Sequence, residues 1–383
     1  MTDERFDIVV LGLSLSSSWG NGHATTWRAL IKGLHRLGQR VLFLERDVPW
    51  YAANRDLADP ATCRLAFYRD PAELDTAFGA SIERAGAVVV GSYVPDGVAV
   101  LDLALARARG PVLFYDIDTP VTLAALEREQ PTYIEPRQIP ALDGYLSFAG
   151  GPILQRLAET YGARAALPFY CAVDADVYRP LPTTPDWELG YLGTYSPDRQ
   201  PTLDTLLIEP ARRLPGRRFV VAGPGYPDDI AWPANVERIP HLPPDEHPRF
   251  YNRQRFTLNV TRADMIKAGW SPSVRLFEAA ACGTPIISDT WPGLTELFPA
   301  NEAIILAGSA EEVVSVIGRA GEGWRSRLAA AARRRVLDGH TGEARAGQLL
   351  AILGRLGSSL PSLPKTGAEA AFRLGATRHA RAC

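Results

Sequence analysis

Nothing in this chain of 383 residues reads as a leader or an anchor. The start, MTDERFDIVVLGLSL, is acidic, and its apolar run is broken by Gly12 and Ser14. A secretory signal needs a basic start and a longer apolar core. No stretch approaches the roughly 18 apolar residues that cross a bilayer. Cysteine is scarce: Cys63, Cys171, Cys282 and Cys383 lie far apart, with no CxxC pair and no histidine at zinc spacing. They read as reduced thiols, Cys282 buried, and predict a cytoplasmic protein. Net charge is nearly absent too. Lys and Arg total 41 against 43 Asp and Glu, a balance of −2, which excludes nucleic-acid binding by bulk positive charge. The loop Ser16–Thr26 contains neither GxGxxG nor GxxxxGKS, so the dinucleotide and P-loop fingerprints are missing there.

What is present is alternation. At about 150 residues per domain the length suits two or three units. Asp7–Leu13 is a continuous apolar run ending in small residues, the pattern of a strand buried on both faces. His23–Leu37 has helical spacing, with Trp27, Leu30, Ile31 and Leu34 on one stripe and Gly38 placed to stop it. Short apolar runs recur at 41–44, 65–68, 87–90, 112–115 and 145–148, with helical segments between most of them. This order predicts βαβ units and a parallel sheet covered on both faces. Pro180, Pro182 and Pro185 mark a linker over 171–186. The alternation then restarts, with strands at 189–192, 219–222, 256–260 and 285–288 and helices at 202–214 and 274–281. The expected fold is therefore α/β, two Rossmann-like doubly wound domains facing across a cleft. Residues 1–170 form the N-terminal domain and 187–340 the C-terminal one. A helix is expected at 341–353, and 354–383 is a poorly ordered tail. Ligands of such sheets bind at the C-terminal strand ends.

The strongest local signal is SPSVRLFEAAACGTPIISD, Ser271–Asp289. Ser271 or Ser273 stands ready to cap a helix beginning at Val274, and Gly283 to end it. A helix start facing a cleft offers unpaired N–H groups and partial positive charge to a diphosphate. Arg275 on the first turn would add a bidentate phosphate donor. Glu278, one turn on, suits ribose hydroxyls. The bland alternative is a buried, capped helix carrying a salt bridge.

This stretch, followed by WPGLTELF with Glu296, resembles the donor-binding signature of GT-B glycosyltransferases, in particular the spore maturation protein CgeB-like group and the glycosyl transferases group 1 family. LGYLGTYSPDR at Leu189–Arg199 and FVVAGPGY at Phe219–Tyr226 resemble the opening strands and glycine loops of that family's donor domain. The resemblance covers 187–353, and more weakly 7–170. It implies a glycosyltransferase using a nucleotide-diphosphate sugar as donor substrate, without a separate cofactor or a bound metal. The N-terminal domain would hold the acceptor and the C-terminal one the donor, and the helix at 341–353 would cross back to the first domain. Gly193 and Thr194 would approach the diphosphate, Arg199 would be the basic group near it, and Ser273, Val274 and Arg275 would form the anion site. Glu278 would hold the ribose, and the base would lie near Ile239, Pro240 and His241. Trp270 stands where retaining members carry the first of two glutamates, which leaves the stereochemical outcome open.

In the N-terminal half, Gly20, Asn21 and Gly22 precede His23, which opens the first helix. At a strand's C-terminal end it is a candidate general base for an acceptor hydroxyl, or else a helix-capping residue. Asp116-Ile117-Asp118 spaces two carboxylates as a metal pair would. The favoured reading is a loop in which Asp118 or Thr119 caps the helix at Pro120, with a role in binding acceptor hydroxyls left open for Asp116 or Asp118. Tyr93 and Asp96 are weaker acceptor candidates beside an ordinary turn, and Trp50-Tyr51 reads as core packing. Arg325, Arg327 and Arg333–Arg335 read as a solvated basic face. Two other functions stay open: a nucleotide-sugar epimerase of this fold, and a non-catalytic coat or scaffold protein that keeps the donor fold.

Overall fold

The computed structural model describes residues 5–19 and 22–357. Gly20, Asn21, Cys383 and the tail from 358 lie outside the described residues. The chain forms two compact units. One takes in the chain up to Asp174 and resumes at Asp338; the other is Ala175–Leu337.

The first unit is built on seven parallel strands: β1 (Ile8–Gly12), β2 (Val41–Arg46), β3 (Arg64–Tyr68), β4 (Ala87–Gly91), β5 (Val112–Asp116), β6 (Gly144–Ser147) and β7 (Ala166–Pro168). Their spatial order is β3-β2-β1-β4-β5-β6-β7, with every pairing parallel. β1, β4 and β5 are buried along their whole length, as continuous apolar runs demand in a sheet covered on both faces. The helix His23–Arg36 buries Trp27, Leu30, Ile31 and Leu34, and Gly38 follows it at φ +76. Trp27 meets Phe43 and Tyr115 edge-on at 5.7 and 5.3 Å. The helix Gly342–Arg355 packs on it in the same unit. Gly33 and Gly342 make that contact, since a Cβ on either would collide with backbone of the other helix. Lys32 Nζ reaches Asp174 at 2.7 Å, and Arg36 pairs with Glu343.

The second unit carries six parallel strands: β8 (Trp187–Leu192), β9 (Phe219–Ala222), β10 (Val236–Ile239), β11 (Gln254–Asn259), β12 (Ile286–Ser288) and β13 (Ile305–Leu306). Their order is β10-β9-β8-β11-β12-β13. Its core gathers Leu189, Phe219, Val221, Phe256, Leu258 and Ile287. The helix expected at 202–214 is interrupted. An α-turn Gln200–Leu203 widens into a π segment Asp204–Ile208 before Glu209–Arg213 resumes. Pro210 explains the widening: it has no N–H to donate and its ring crowds the preceding turn. The strands β7, β10 and β13 were not among those expected. All three are short edge strands without a fully buried run, so periodicity gives them little signal. In the Glu322–Gly339 helix Arg325 pairs with Glu322, and Arg333 and Arg335 donate to the Ala281 and Leu297 carbonyls, so this basic face is partly docked rather than wholly solvated. No helix among the described residues is long and apolar enough to cross a membrane.

Candidate functional site

In the second unit, the C-terminal ends of β8, β9 and β11 bring together residues distant in sequence. Gly193 follows β8, and its N–H donates to Ala222 O at 2.9 Å. Gly223, at φ +134, follows β9 and lies so close that a Cβ there would strike the Gly193 carbonyl. A Cβ at Gly193 would lie 2.6 Å from Tyr191 Oη and 2.9 Å from Arg275 Nη2. The turn therefore needs glycine because an aromatic hydroxyl and a guanidinium approach its backbone. Arg275 donates from Nε to Leu192 O at 2.7 Å and from Nη1 to Asn259 Oδ1 at 3.0 Å, and stacks 4.7 Å over Tyr191. These bonds occupy part of the expected bidentate fork, and Nη2 is the nitrogen left toward Gly193. Arg199 donates to Thr194 O at 2.5 Å, while its buried Nε has no partner.

Arginine outweighs carboxylate in this cluster, where Asp198 acts on Arg199 and Asp289 on Arg275 only from beyond ion-pair distance. Burial lowers the affinity of Arg199 for its proton, and Arg275 and Arg262 lower it further. Arg238, depressed by burial, lies 4.1 Å over Tyr226 and 4.6 Å over Trp232. Among the described residues, none of Arg199, Arg238, Arg262 and Arg275 has a carboxylate within ion-pair distance. Tyr191 Oη and Ser271 Oγ are buried without a hydrogen-bond partner. Half-satisfied buried polar groups of this kind call for an explanation such as a ligand.

The helix Val274–Ala281 begins beside this cluster. Neither Ser271 nor Ser273 caps it, contrary to the expectation. Ser273 Oγ instead donates to Asn259 Oδ1 at 2.8 Å, because Asn259 at the end of β11 competes for that hydroxyl. The first turn is left with no side-chain cap, and Ser273 and Val274 are partly exposed. Gly283 ends the helix at φ +72. Glu278 is buried and accepts from Tyr251 Oη at 3.0 Å, with Tyr178 also bonded to it. Trp270, at φ +42, donates its indole N–H to Glu296 at 3.0 Å. Thr194 and His241 are exposed, His241 just beyond β10. The structure thus gathers Gly193, Thr194, Arg199, Ser273, Val274 and Arg275. Asn259, Tyr191, Arg262 and Arg238 were missed, although a lone Asn closing the apolar run of β11 was a visible signal.

The first unit has its own polar cluster at the ends of β1, β4 and β5. His23 Nε2 stands 3.7 Å from Asp118 Oδ2, and the same oxygen accepts from Tyr93 Oη at 3.0 Å. The His23 and Tyr93 rings lie 5.2 Å apart. The capping reading of Asp118 is corrected here. Asp118 occupies the N-cap position of Thr119–Glu127, but its carboxylate makes no cap bond and turns to His23 and Tyr93. Asp116 is fully buried, accepting from Tyr145 Oη at 2.5 Å and Thr122 Oγ1 at 2.9 Å. Burial, only partly offset by these hydrogen bonds, raises its carboxyl to about 6. The two carboxylates of the Asp-x-Asp thus serve different partners. Behind them, Glu45 holds the loop before His23, accepting from Ser14 Oγ, Leu15 N, and both Ser16 N and Oγ. Tyr51 packs into the core as expected, but Trp50 is 53% exposed.

Residues 199–351 match a family model described as Glycosyl transferase-like. No curated protein matches the chain. Solved structures of similar fold include sucrose-phosphate synthase from Thermosynechococcus elongatus (15% identity, 92% of this chain and 100% of that one, TM-score 0.65) and HepE of Anabaena in complex with UDP and glucose (14%, 91% and 100%, TM-score 0.66). A third is the phage T4 enzyme BGT in complex with its UDP-glucose substrate (10%, 92% and 99%, TM-score 0.55). Both α/β domains of the chain therefore have the GT-B fold, and residues 199–351 form a glycosyltransferase-like segment.

Proposed function

We propose that this protein is a glycosyltransferase that moves a hexosyl group from a nucleoside-diphosphate sugar to an acceptor hydroxyl. The arginine cluster at the uncapped start of the Val274 helix, with no carboxylate within ion-pair distance, carries the reading. A diphosphate supplies the negative charge those groups lack, and the helix start and Gly193 backbone suit its oxygens. Arg275 is buried and Arg199 and Arg238 partly so, and a buried guanidinium without a carboxylate partner is stabilised when an anion joins it. As the glycosyl C–O bond to the phosphate breaks, the leaving diphosphate gains charge, and Arg275 Nη2, Arg199 and the helix dipole stabilise it. Catalysis without a bound metal follows from that division of labour. Glu278, buried against Tyr251 and Tyr178, takes the ribose hydroxyls only if the nucleotide displaces one of these bonds. Residues 175–337 thus form the donor-binding part and residues 5–174 the acceptor-binding part. There His23 accepts the proton of the attacking hydroxyl as the new C–O bond forms, and Asp118 stabilises the imidazolium.

UDP is the first donor nucleotide to test, because two structures of this fold hold it or its glucose conjugate. The motifs Ser271–Asp289 and Leu189–Arg199 favour the CgeB-like group, and the scarcity of cysteine, with no CxxC pair, suits a cytoplasmic setting. Thermal shift of the full chain with UDP and UDP-glucose tests the reading. Arg199→Ala and Arg275→Ala should each weaken binding about 10- to 100-fold, the worth of a hydrogen bond to a charged group. Wild-type affinity in both variants would sink the site, and the absence of any shift across a panel of nucleoside diphosphates would sink the function.

A further inference from the structure

The first unit contains a cavity of about 760 Å³ whose walls include Tyr93, Val94, Val98, Val121, Ala125 and Tyr133. It lies between the helices Gly97–Arg107 and Thr119–Glu127, where β4 and β5 end. Three observations describe what it suits. First, an aromatic wall leads to it from the candidate base. His23 lies 5.2 Å from Tyr93, Tyr93 lies 4.7 Å from Tyr133, and Tyr133 stacks on Phe114 at 6.2 Å. Second, the cavity is charge-neutral. Its two carboxylates are already paired, Asp96 with Arg46 and Asp102 with Arg137 at 2.8 Å, and no basic side chain lines it. The contrast with the arginines of the other unit is complete. Third, the rim is built at a cost. Tyr93 and Asp96 are both left-handed, at φ +64 and +54, a conformation that side chains disfavour and that gathers at functional sites. Gly97 lets the Tyr133 backbone close in, since a Cβ there would lie 2.6 Å from Tyr133 O.

We propose that this cavity takes the acceptor, and that the acceptor is a neutral, hydroxyl-bearing molecule with a flat apolar body, such as an aryl alcohol. The inference rests on the glycosyltransferase reading and adds the substrate class. The cavity is an open groove rather than an enclosed chamber, of a size that admits a small molecule lying against its apolar wall. Apolar and aromatic walls favour a ring body, and paired carboxylates without a free cation disfavour an anion. A hydroxyl at the Tyr93 end would come close to His23.

Isothermal titration of the full chain with 2-naphthol, 2-naphthoate and glucose, alongside UDP, tests this. One 2-naphthol should bind per chain, at least tenfold more tightly than 2-naphthoate or glucose. Ala125→Trp, which fills the cavity, and Ala99→Trp, at its exposed rim, should each weaken 2-naphthol at least tenfold and leave UDP affinity unchanged. The inference is overturned if 2-naphthol does not bind, if naphthoate or glucose binds as well, or if both tryptophan variants bind 2-naphthol as the wild type does. Failure of UDP to bind the wild type would instead remove the glycosyltransferase reading, whatever 2-naphthol does.

Discussion

Two aspartates, two residues apart, show how far environment sets the role of a side chain. Asp118 is partly exposed and bonded to Tyr93 beside His23. Asp116 is buried beneath it, with its carboxyl raised to about 6 from a usual value of 3.8. The folded protein then binds the Asp116 proton more tightly than the unfolded chain does. Its contribution to stability is fullest below about pH 4 and is lost as pH rises through 6, by at most about 3 kcal/mol for a shift of this size. Asp116→Asn cannot titrate. Denaturant unfolding at several pH values should show wild type losing stability relative to this variant between pH 4 and 7, and parallel profiles would refute the assignment. Asp56 has the opposite sign. Despite partial burial, hydrogen bonds from Arg28 and Ser18 lower its carboxyl to about 2, so its contribution is present above about pH 4 and fades as pH falls through 2. His23 was legible because glycines preceded it at the end of an apolar run. The contact of Asp118 with His23 and Tyr93 was not, because capping logic sees neighbours in sequence and Tyr93 is 25 residues away.

At the scale of elements, the first helix and the last described one meet through glycine. Gly33 and Gly342 let two helix backbones approach until a methyl group would overlap a carbonyl of the other. Gly342→Ala should therefore destabilise the protein by about 1–3 kcal/mol, since an overpacked contact must open to admit the new carbon. Gly347, on the same helix with open space around its Cβ, is the control: Gly347→Ala should be neutral or stabilising. Equal destabilisation by the two changes would show that the Gly342 contact is not what limits the packing. The first helix was legible from apolar spacing and the return of the last from the resemblance, but the glycine contact that joins them was not, because glycine carries no periodic signal. The interrupted helix at 200–213 teaches the converse: Pro210 was in plain view, yet apolar spacing alone does not distinguish a π segment from an α-helix.

For the whole molecule, the chain path makes the two units unequal. Ala175–Leu337 is continuous, whereas the first unit is completed only when the chain returns at Asp338. A fragment of residues 175–337 is expected to fold by itself and retain UDP binding. A fragment ending at 174 lacks the helix that covers the His23–Arg36 helix, and should show lower stability or none by circular dichroism and calorimetry. Independent folding of the shorter fragment at full stability would overturn this account. The sequence by itself determined the two α/β halves, most of their strands and the helix at Val274, because buried strands and amphipathic helices are written as local periodicity. It also exposed the arginines and glycines of the candidate donor site, whose chemistry is carried by residue type. Only the tertiary structure decided that Asn259 takes the hydroxyl expected to cap the helix, that Asp118 faces His23, and that a neutral cavity adjoins them. Those outcomes depend on which side chains meet when separate strands end side by side, and no spacing along one strand encodes that.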